Sequence, residues 1–201
     1  MMANFNKFGK STLWLCSLLT VLFMYGCEDM EKRDKKYNFI GDSIINHWPV
    51  ADSFPSQVVY NYGLSGAGID YLRDYTDAFI GENVVVMIGT NDNNRFYSDK
   101  IDEYVDNYLS IISSLTDQTI YLYSVLPRKF ATDSEDINEK ISEFNRKVKD
   151  ASSAYTNIVY LDVFDDFLDG DYINYQYYSD GLHLTLYGYE LLTSKLLDYI
   201  Q

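Results

Sequence analysis

The sequence predicts an α/β fold: a flavodoxin-like three-layer α/β/α sandwich on a five-stranded parallel sheet. Three observations carry this. Short apolar runs rich in β-branched residues alternate with longer segments whose apolar residues recur every three or four positions. That alternation is what strands joined by crossover helices produce. The most continuous of the runs, "NVVVMIG", is apolar throughout its middle, as a strand buried on both faces is expected to be. The chain has 201 residues, 47% of them apolar, enough for one core with no room for a second domain.

Residues 1–26 are expected to lie outside the fold. Lys7 and Lys10 form a basic start, and the apolar run "STLWLCSLLTVLFMYG" follows. It is too short and wrongly flanked for a spanning helix but suits a secretory signal. "FMYGC" resembles a bacterial lipoprotein signal, in which a small residue, here Gly26, precedes a cysteine that is cleaved and lipidated. Met24 and Tyr25 stand where that signal usually has leucine and a small residue. The resemblance implies export and a lipid on Cys27, holding the protein to a membrane surface without crossing it. The other cysteine, Cys16, lies inside the signal, so the folded part is left with no disulfide and no thiol nucleophile. Residues 27–36 continue as "EDMEKRDKK" after Cys27, a solvated charged tether. The folded domain is expected over 37–201.

The elements follow in order. "YNFIG", "QVVYNYG" and "NVVVMIG" are strands ending in glycine, and the third is the most continuous. "TIYLYSVLP" is a fourth strand, stopped by Pro127, and "NIVYLDVF" is a fifth. Residues 66–80 are expected to be helical, with Ile69, Leu72, Ala78 and Phe79 on one face. Residues 101–115 place Ile101, Val105, Leu109, Ile112 and Leu115 at helical spacing, and residues 135–150 do so with Ile137, Ile141, Phe144 and Val148. "TDSE", Thr132 to Glu135, fits a capping box for the latter. "LYGYELLTSKLLDYI" closes the chain as a helix.

Composition removes some functions. The formal charge is −14 and no basic stripe offsets it, so nucleic acid is not a partner. The 20 tyrosines each offer an apolar face with a polar tip, suited to helix–sheet contacts or to a sugar-binding groove.

In open parallel sheets, ligands bind beyond the carboxyl ends of the strands. There the sequence places Gly41-Asp42-Ser43, Gly63-Leu64-Ser65-Gly66, Gly89-Thr90-Asn91-Asp92 and, before the last helix, Asp180-Gly181-Leu182-His183. These hold the parts of a serine esterase site. A serine hydroxyl such as Ser43 needs a base within hydrogen-bond reach, which His183 can supply. Asp180, three residues before it, can hold the imidazole in one tautomer. Oxyanion donors are available in the backbone N–H groups of Ser43 and Gly63 and the side-chain amide of Asn91. Asp42 and Asp92 are expected to stabilise their turns. Trp48, Arg95, Phe96, Arg128 and "YINYQYY" are candidates to line the pocket, with packing an equal alternative.

A metal site at Asp180 and His183 is the rival chemistry. Catalytic zinc wants three protein ligands, and the chain offers only one more histidine, His47, and no cysteine beyond Cys27 outside the signal. No metal and no cofactor is therefore expected. His47 receives no role.

Taken together, residues 37–201 resemble an SGNH hydrolase of the GDSL esterase family. The four name-giving residues match in order and spacing: Ser43 in "IGDSI", Gly63 in "NYGLSG", Asn91 in "IGTND" and His183 in "DGLHL", with Asp180 as the family's aspartate. Leu184 follows the histidine where many relatives have proline. The resemblance implies the same sandwich and ester hydrolysis without a cofactor. Its substrates span carbohydrate O-acetyl esters, lysophospholipids, acyl thioesters and aryl esters. Small acyl, O-acetyl esters on carbohydrate are the expected substrate here. A lysophospholipase or thioesterase activity, or an inactive glycan-binding lipoprotein, are the alternatives.

Overall fold

The computed structural model of the protein describes residues 35–200. Strand β1, Lys36–Gly41, leads into two short helices, α1 (Ser43–His47) and α2 (Val50–Ser53), and then β2, Val58–Gly63. A 3₁₀ segment, Ile69–Tyr75, precedes β3, Asn83–Met87, and a second, Thr90–Tyr97, follows it. Then come α3 (Ile101–Ser113), β4 (Ile120–Tyr123), α4 (Ile137–Ser152) and β5 (Ile158–Leu161). A small hairpin of β6 (Leu168–Asp169) and β7 (Tyr172–Ile173) leads to the last helix, α5 (Leu186–Leu197).

The five main strands form one parallel sheet in the order β2-β1-β3-β4-β5. The chain runs one way from β1 to β2 and the other way from β3 onward, so the strand order reverses between β1 and β3. A crevice opens at such a switch point. The register sharpens it: Gly41 lies beside Gly63 on one side and Met87 on the other. Three segments that carry site candidates thus leave the sheet at one level.

Side chains alternate across the sheet and feed two cores. Ile40, Val84, Val86, Ile120 and Leu122 meet α3 and α4 through Val105, Leu109, Ile112, Ile141 and Phe144. Phe39, Val85, Met87, Tyr121 and Tyr123 meet α1 and α5 through Ile45, Trp48, Leu192 and Leu196. The two faces confirm the three-layer sandwich.

Several expectations are corrected. Lys36, assigned to the tether, belongs to β1 and pairs with Glu82 at 2.7 Å. The rest of the tether up to Asp34, the signal and Cys27 lie outside the described residues. Helix is not continuous over 66–80: only Ile69–Tyr75 winds, as 3₁₀, because Gly66 and Gly68 lie at its start and Asp77 takes positive φ beyond its end. The capping box at Thr132 does not form. The helix begins at Ile137, and Asp133, inside the expected box, is drawn instead into an ion pair with Arg128.

Candidate active site

Ser43 is the first residue of α1, immediately beyond β1. The Asp42 carboxylate caps it, its Oδ1 accepting the Ile44 N–H at 2.9 Å. The helix is held from behind by α5: Tyr189 Oη donates to the Ile44 carbonyl at 3.1 Å, and Trp48 Nε1 donates to Thr193 Oγ1 at 3.2 Å. Ser43 is buried.

The loop from Ser179 to Leu184 is locally determined. Asp180 Oδ1 accepts the backbone N–H groups of Leu182 at 2.9 Å and His183 at 2.7 Å. Its Oδ2 lies 2.8 Å from His183 Nδ1, and His183 Nε2 lies 3.2 Å from Ser43 Oγ. The three side chains form one hydrogen-bonded line. Desolvation opposes the charge on Asp180, but the hydrogen bonds from the His183 ring and from the His183 and Leu182 amides outweigh it and hold the carboxyl at about 2. Gly181 has φ +84°, and a Cβ there would collide with the Lys129 carbonyl, so glycine alone fits this loop. Lys129 N–H donates to the Gly181 carbonyl at 2.8 Å, and Tyr178 Oη donates to the Pro127 carbonyl at 2.6 Å.

Across from this loop, Asn91 sits in the 3₁₀ segment after β3. Its Nδ2 donates to the Ala67 carbonyl at 2.9 Å. An amide NH₂ carries two hydrogens, so one remains for another acceptor. Asp92 Oδ2 accepts the Ile69 N–H at 2.8 Å, pinning the same loop rather than its own turn. Burial raises the Asp92 carboxyl, against the pull of that N–H and of Arg95.

Gly63 is placed differently from its expected role. Its single N–H donates to Asn61 Oδ1 at 2.9 Å and is spent there. A Cβ at Gly63 would overlap the Asn46 backbone, so the glycine lets α1 close onto β2. The N–H of Gly66, in the loop whose Ala67 carbonyl holds Asn91, makes no hydrogen bond among the described residues, and neither does that of Ser43. No feature of the sequence alone separates Gly66 from Gly63; the difference lies in which amide Asn61 reaches.

The softer candidates divide. Trp48 packs with Phe39, Phe54, Tyr123 and Tyr189, and Phe96 stacks on Phe144 at 4.3 Å between centroids; both are core. Arg95 lies over the Tyr104 ring and pairs with Asp70. Arg128, in contrast, lines a small cavity under the site together with Asp42, Thr90 and Leu182. Tyr172 and Tyr175, before Asp180, and Tyr187, after His183, are exposed. The ring of His47 stands 5.6 Å from that of His183. Among the described residues no group of three or more potential ligands gathers as a metal site.

The family model described as GDSL-like Lipase/Acylhydrolase matches residues 39–191. The chain belongs to that family. It is accordingly a hydrolase of ester bonds. Solved structures agree with the fold. A Streptococcus pneumonia structure, provisionally named a platelet activating factor, is 27% identical with a TM-score of 0.69, covering 94% of this chain and 99% of that one. A GDSL-like lipase from Bacteroides thetaiotaomicron is 23% identical, TM-score 0.66, covering 88% and 95%. Axe2, an acetylxylan esterase from Geobacillus stearothermophilus, is 21% identical, TM-score 0.65, covering 84% and 94%. No curated protein matches the chain. The match begins at Phe39 and ends at Leu191, so it takes in all four site segments of this GDSL-like chain.

Proposed function

We propose that this GDSL-like hydrolase is a serine esterase that removes small acyl groups, O-acetyl above all, from carbohydrate. The observation that carries the chemistry is the line Asp180–His183–Ser43, at 2.8 and 3.2 Å. Ser43 Oγ attacks the ester carbonyl as His183 Nε2 takes its proton. Asp180 on Nδ1 fixes the tautomer and stabilises the imidazolium. The tetrahedral oxyanion is met by the Ser43 N–H and the remaining Asn91 amide hydrogen, with the Gly66 N–H in the place first given to Gly63. The alcohol leaves with the proton from His183. Water then loses a proton to the same imidazole, adds to the acyl-enzyme carbonyl and releases the acid, restoring Ser43.

The small-acyl, carbohydrate reading is supported by the exposed Tyr172, Tyr175 and Tyr187 flanking the histidine loop, whose rings suit the apolar faces of sugars. The acetylxylan esterase among the similar structures supports the same reading. Export and anchoring through lipid on Cys27, facing either the periplasm or the cell surface, complete it. A second reading, hydrolysis of lysophospholipid or acyl thioester, is favoured by the exposed Leu64 and Leu186 near the two site loops.

Hydrolysis of p-nitrophenyl acetate, butyrate and octanoate by the full chain tests both. Serine-dependent turnover that falls with chain length supports the acetylesterase, and turnover that rises toward octanoate supports the second reading. No turnover on any ester, with glycan binding retained, would make this a binding protein.

A further inference from the structure

We propose that Arg128 is a positioning residue for Asn91, and that residues 127–129 form a strap joining the two halves of the site; this rests on the esterase reading above. The segment after β4 has no regular structure, yet it is held at each step. Two asparagines of α4, seven residues apart and so on one face, grip it. Asn145 accepts the Val125 N–H at 2.9 Å and donates to its carbonyl at 2.8 Å. Asn138 accepts the Arg128 N–H at 2.8 Å and donates to its carbonyl at 2.9 Å.

The Arg128 guanidinium then divides its nitrogens. Nη2 lies 2.7 Å from Asp133 Oδ1, and Nε donates to Asp133 Oδ2 at 3.0 Å. This is a forked pair whose side chains are only 7% and 2% exposed. Such a fork fixes the guanidinium plane. A pair that served only to staple its own loop would be complete at this point. Nη1 instead donates to the Thr90 carbonyl at 2.8 Å and to Thr90 Oγ1 at 3.1 Å. The Thr90 carbonyl belongs to the peptide that links Thr90 to Asn91. Holding that oxygen sets the peptide plane, and with it where the Asn91 side chain departs. Asn91 is then tied at its far end to Ala67, and Asp92 to Ile69.

The residues on either side of Arg128 face the other half of the site. The Pro127 carbonyl accepts Tyr178 Oη, and the Lys129 N–H donates to Gly181 in the histidine loop. Three consecutive residues therefore touch the segments that carry Asn91, Asp180 and His183. The strap sets the distance between base and oxyanion donor. Lysine in place of Arg128 keeps the charge and loses the fork.

Arg128→Lys in the full chain is the test, alone and in an Asn91→Ala background, with p-nitrophenyl acetate turnover, thermal unfolding and amide exchange. The expected result is a folded protein whose kcat falls about 10–100-fold while KM stays within about threefold. In the Asn91→Ala background the same substitution should cost less than about twofold, because its effect runs through the missing amide. An equal loss in both backgrounds, or none in the first, overturns the proposal. Exchange at the Asp92 N–H, bonded to the Gly89 carbonyl at 2.9 Å, should quicken in the variant. Unchanged protection there overturns the proposal even if no ester is hydrolysed, whereas turnover independent of Ser43 strikes the esterase reading alone. If Arg128→Lys does not fold, Thr90→Val, which removes only the Oγ1 acceptor, carries the same readouts with a fall of about 2–5-fold expected.

Discussion

The two halves of the site are built in opposite ways. The base half is local: Asp180 accepts the Leu182 and His183 amides and meets the His183 ring, all within four residues. The oxyanion half is assembled from the exits of β1, β2 and β3, and is held by side chains from as far away as Arg128. A local unit survives insult elsewhere in the fold. A distributed one depends on every brace. Substitutions in the base half should therefore act on chemistry without coupling to the distant braces, and those in the oxyanion half should be graded and coupled.

The largest effect should come where the base half meets the nucleophile at the exit of β1. Ser43→Ala or His183→Ala is expected to lower kcat by roughly four orders of magnitude or more, with the fold intact, in steady-state assays on p-nitrophenyl acetate. Wild-type turnover in Ser43→Ala would remove the nucleophile from the scheme. Asn91→Ala should cost less, on the order of 10²–10³ in kcat, because one of several oxyanion donors is lost. It should also loosen the loop at Ala67, visible as faster amide exchange across residues 66–69. A change in KM with kcat intact would mean that Asn91 binds substrate without favouring the transition state.

This difference also explains what could be read in the sequence. Strands β1 to β5 and helices α3, α4 and α5 announce themselves because short apolar runs and helix amphipathicity leave marks in the sequence. Ser43, Asn91, Asp180 and His183 were legible because each follows a strand or precedes a helix in a short motif. Gly63 was misread because a glycine in a motif records a need for space and not its reason, and here the space is filled by Asn46. Arg128 carried no signal that set it apart from a pocket or packing residue. Its role exists only in the meeting of Asp133, Asn138 and Thr90, separated by up to 48 positions yet joined at one guanidinium and its backbone. The helix expected over 66–80 failed partly through its own Gly66, Gly68 and Asp77, and partly because Asn91 and Asp92 hold the loop from outside, at Ala67 and Ile69.

The clearest contrast of sign lies in how two aspartates couple stability to pH, and the Asp42 side of it should be read in unfolding more than in turnover. Asp180 is held down at about 2, so its contribution to stability is present above the ordinary carboxylate range and is lost as pH falls through about 2. Asp42 is the reverse. Burial pushes its carboxyl up to about 7, against the Ile44 N–H, with Asp92 adding to the rise and the nearby Arg128 guanidinium opposing it. The folded protein then binds a proton there that the unfolded chain has already given up. Stability from this group is full below the ordinary range near 4 and is lost as pH rises through about 7. Asp42→Asn keeps an acceptor for the Ile44 N–H and removes the charge. Urea unfolding at pH 5 and pH 8 should show the wild type losing stability relative to the variant, by at most about 3 kcal/mol across the window. Equal pH dependence in the two proteins would mean that the Asp42 charge is already compensated when folded, with Arg128, which lines the same cavity, a cation able to do it. Its guanidinium would then serve the carboxylate beneath Ser43 as well as the peptide before Asn91.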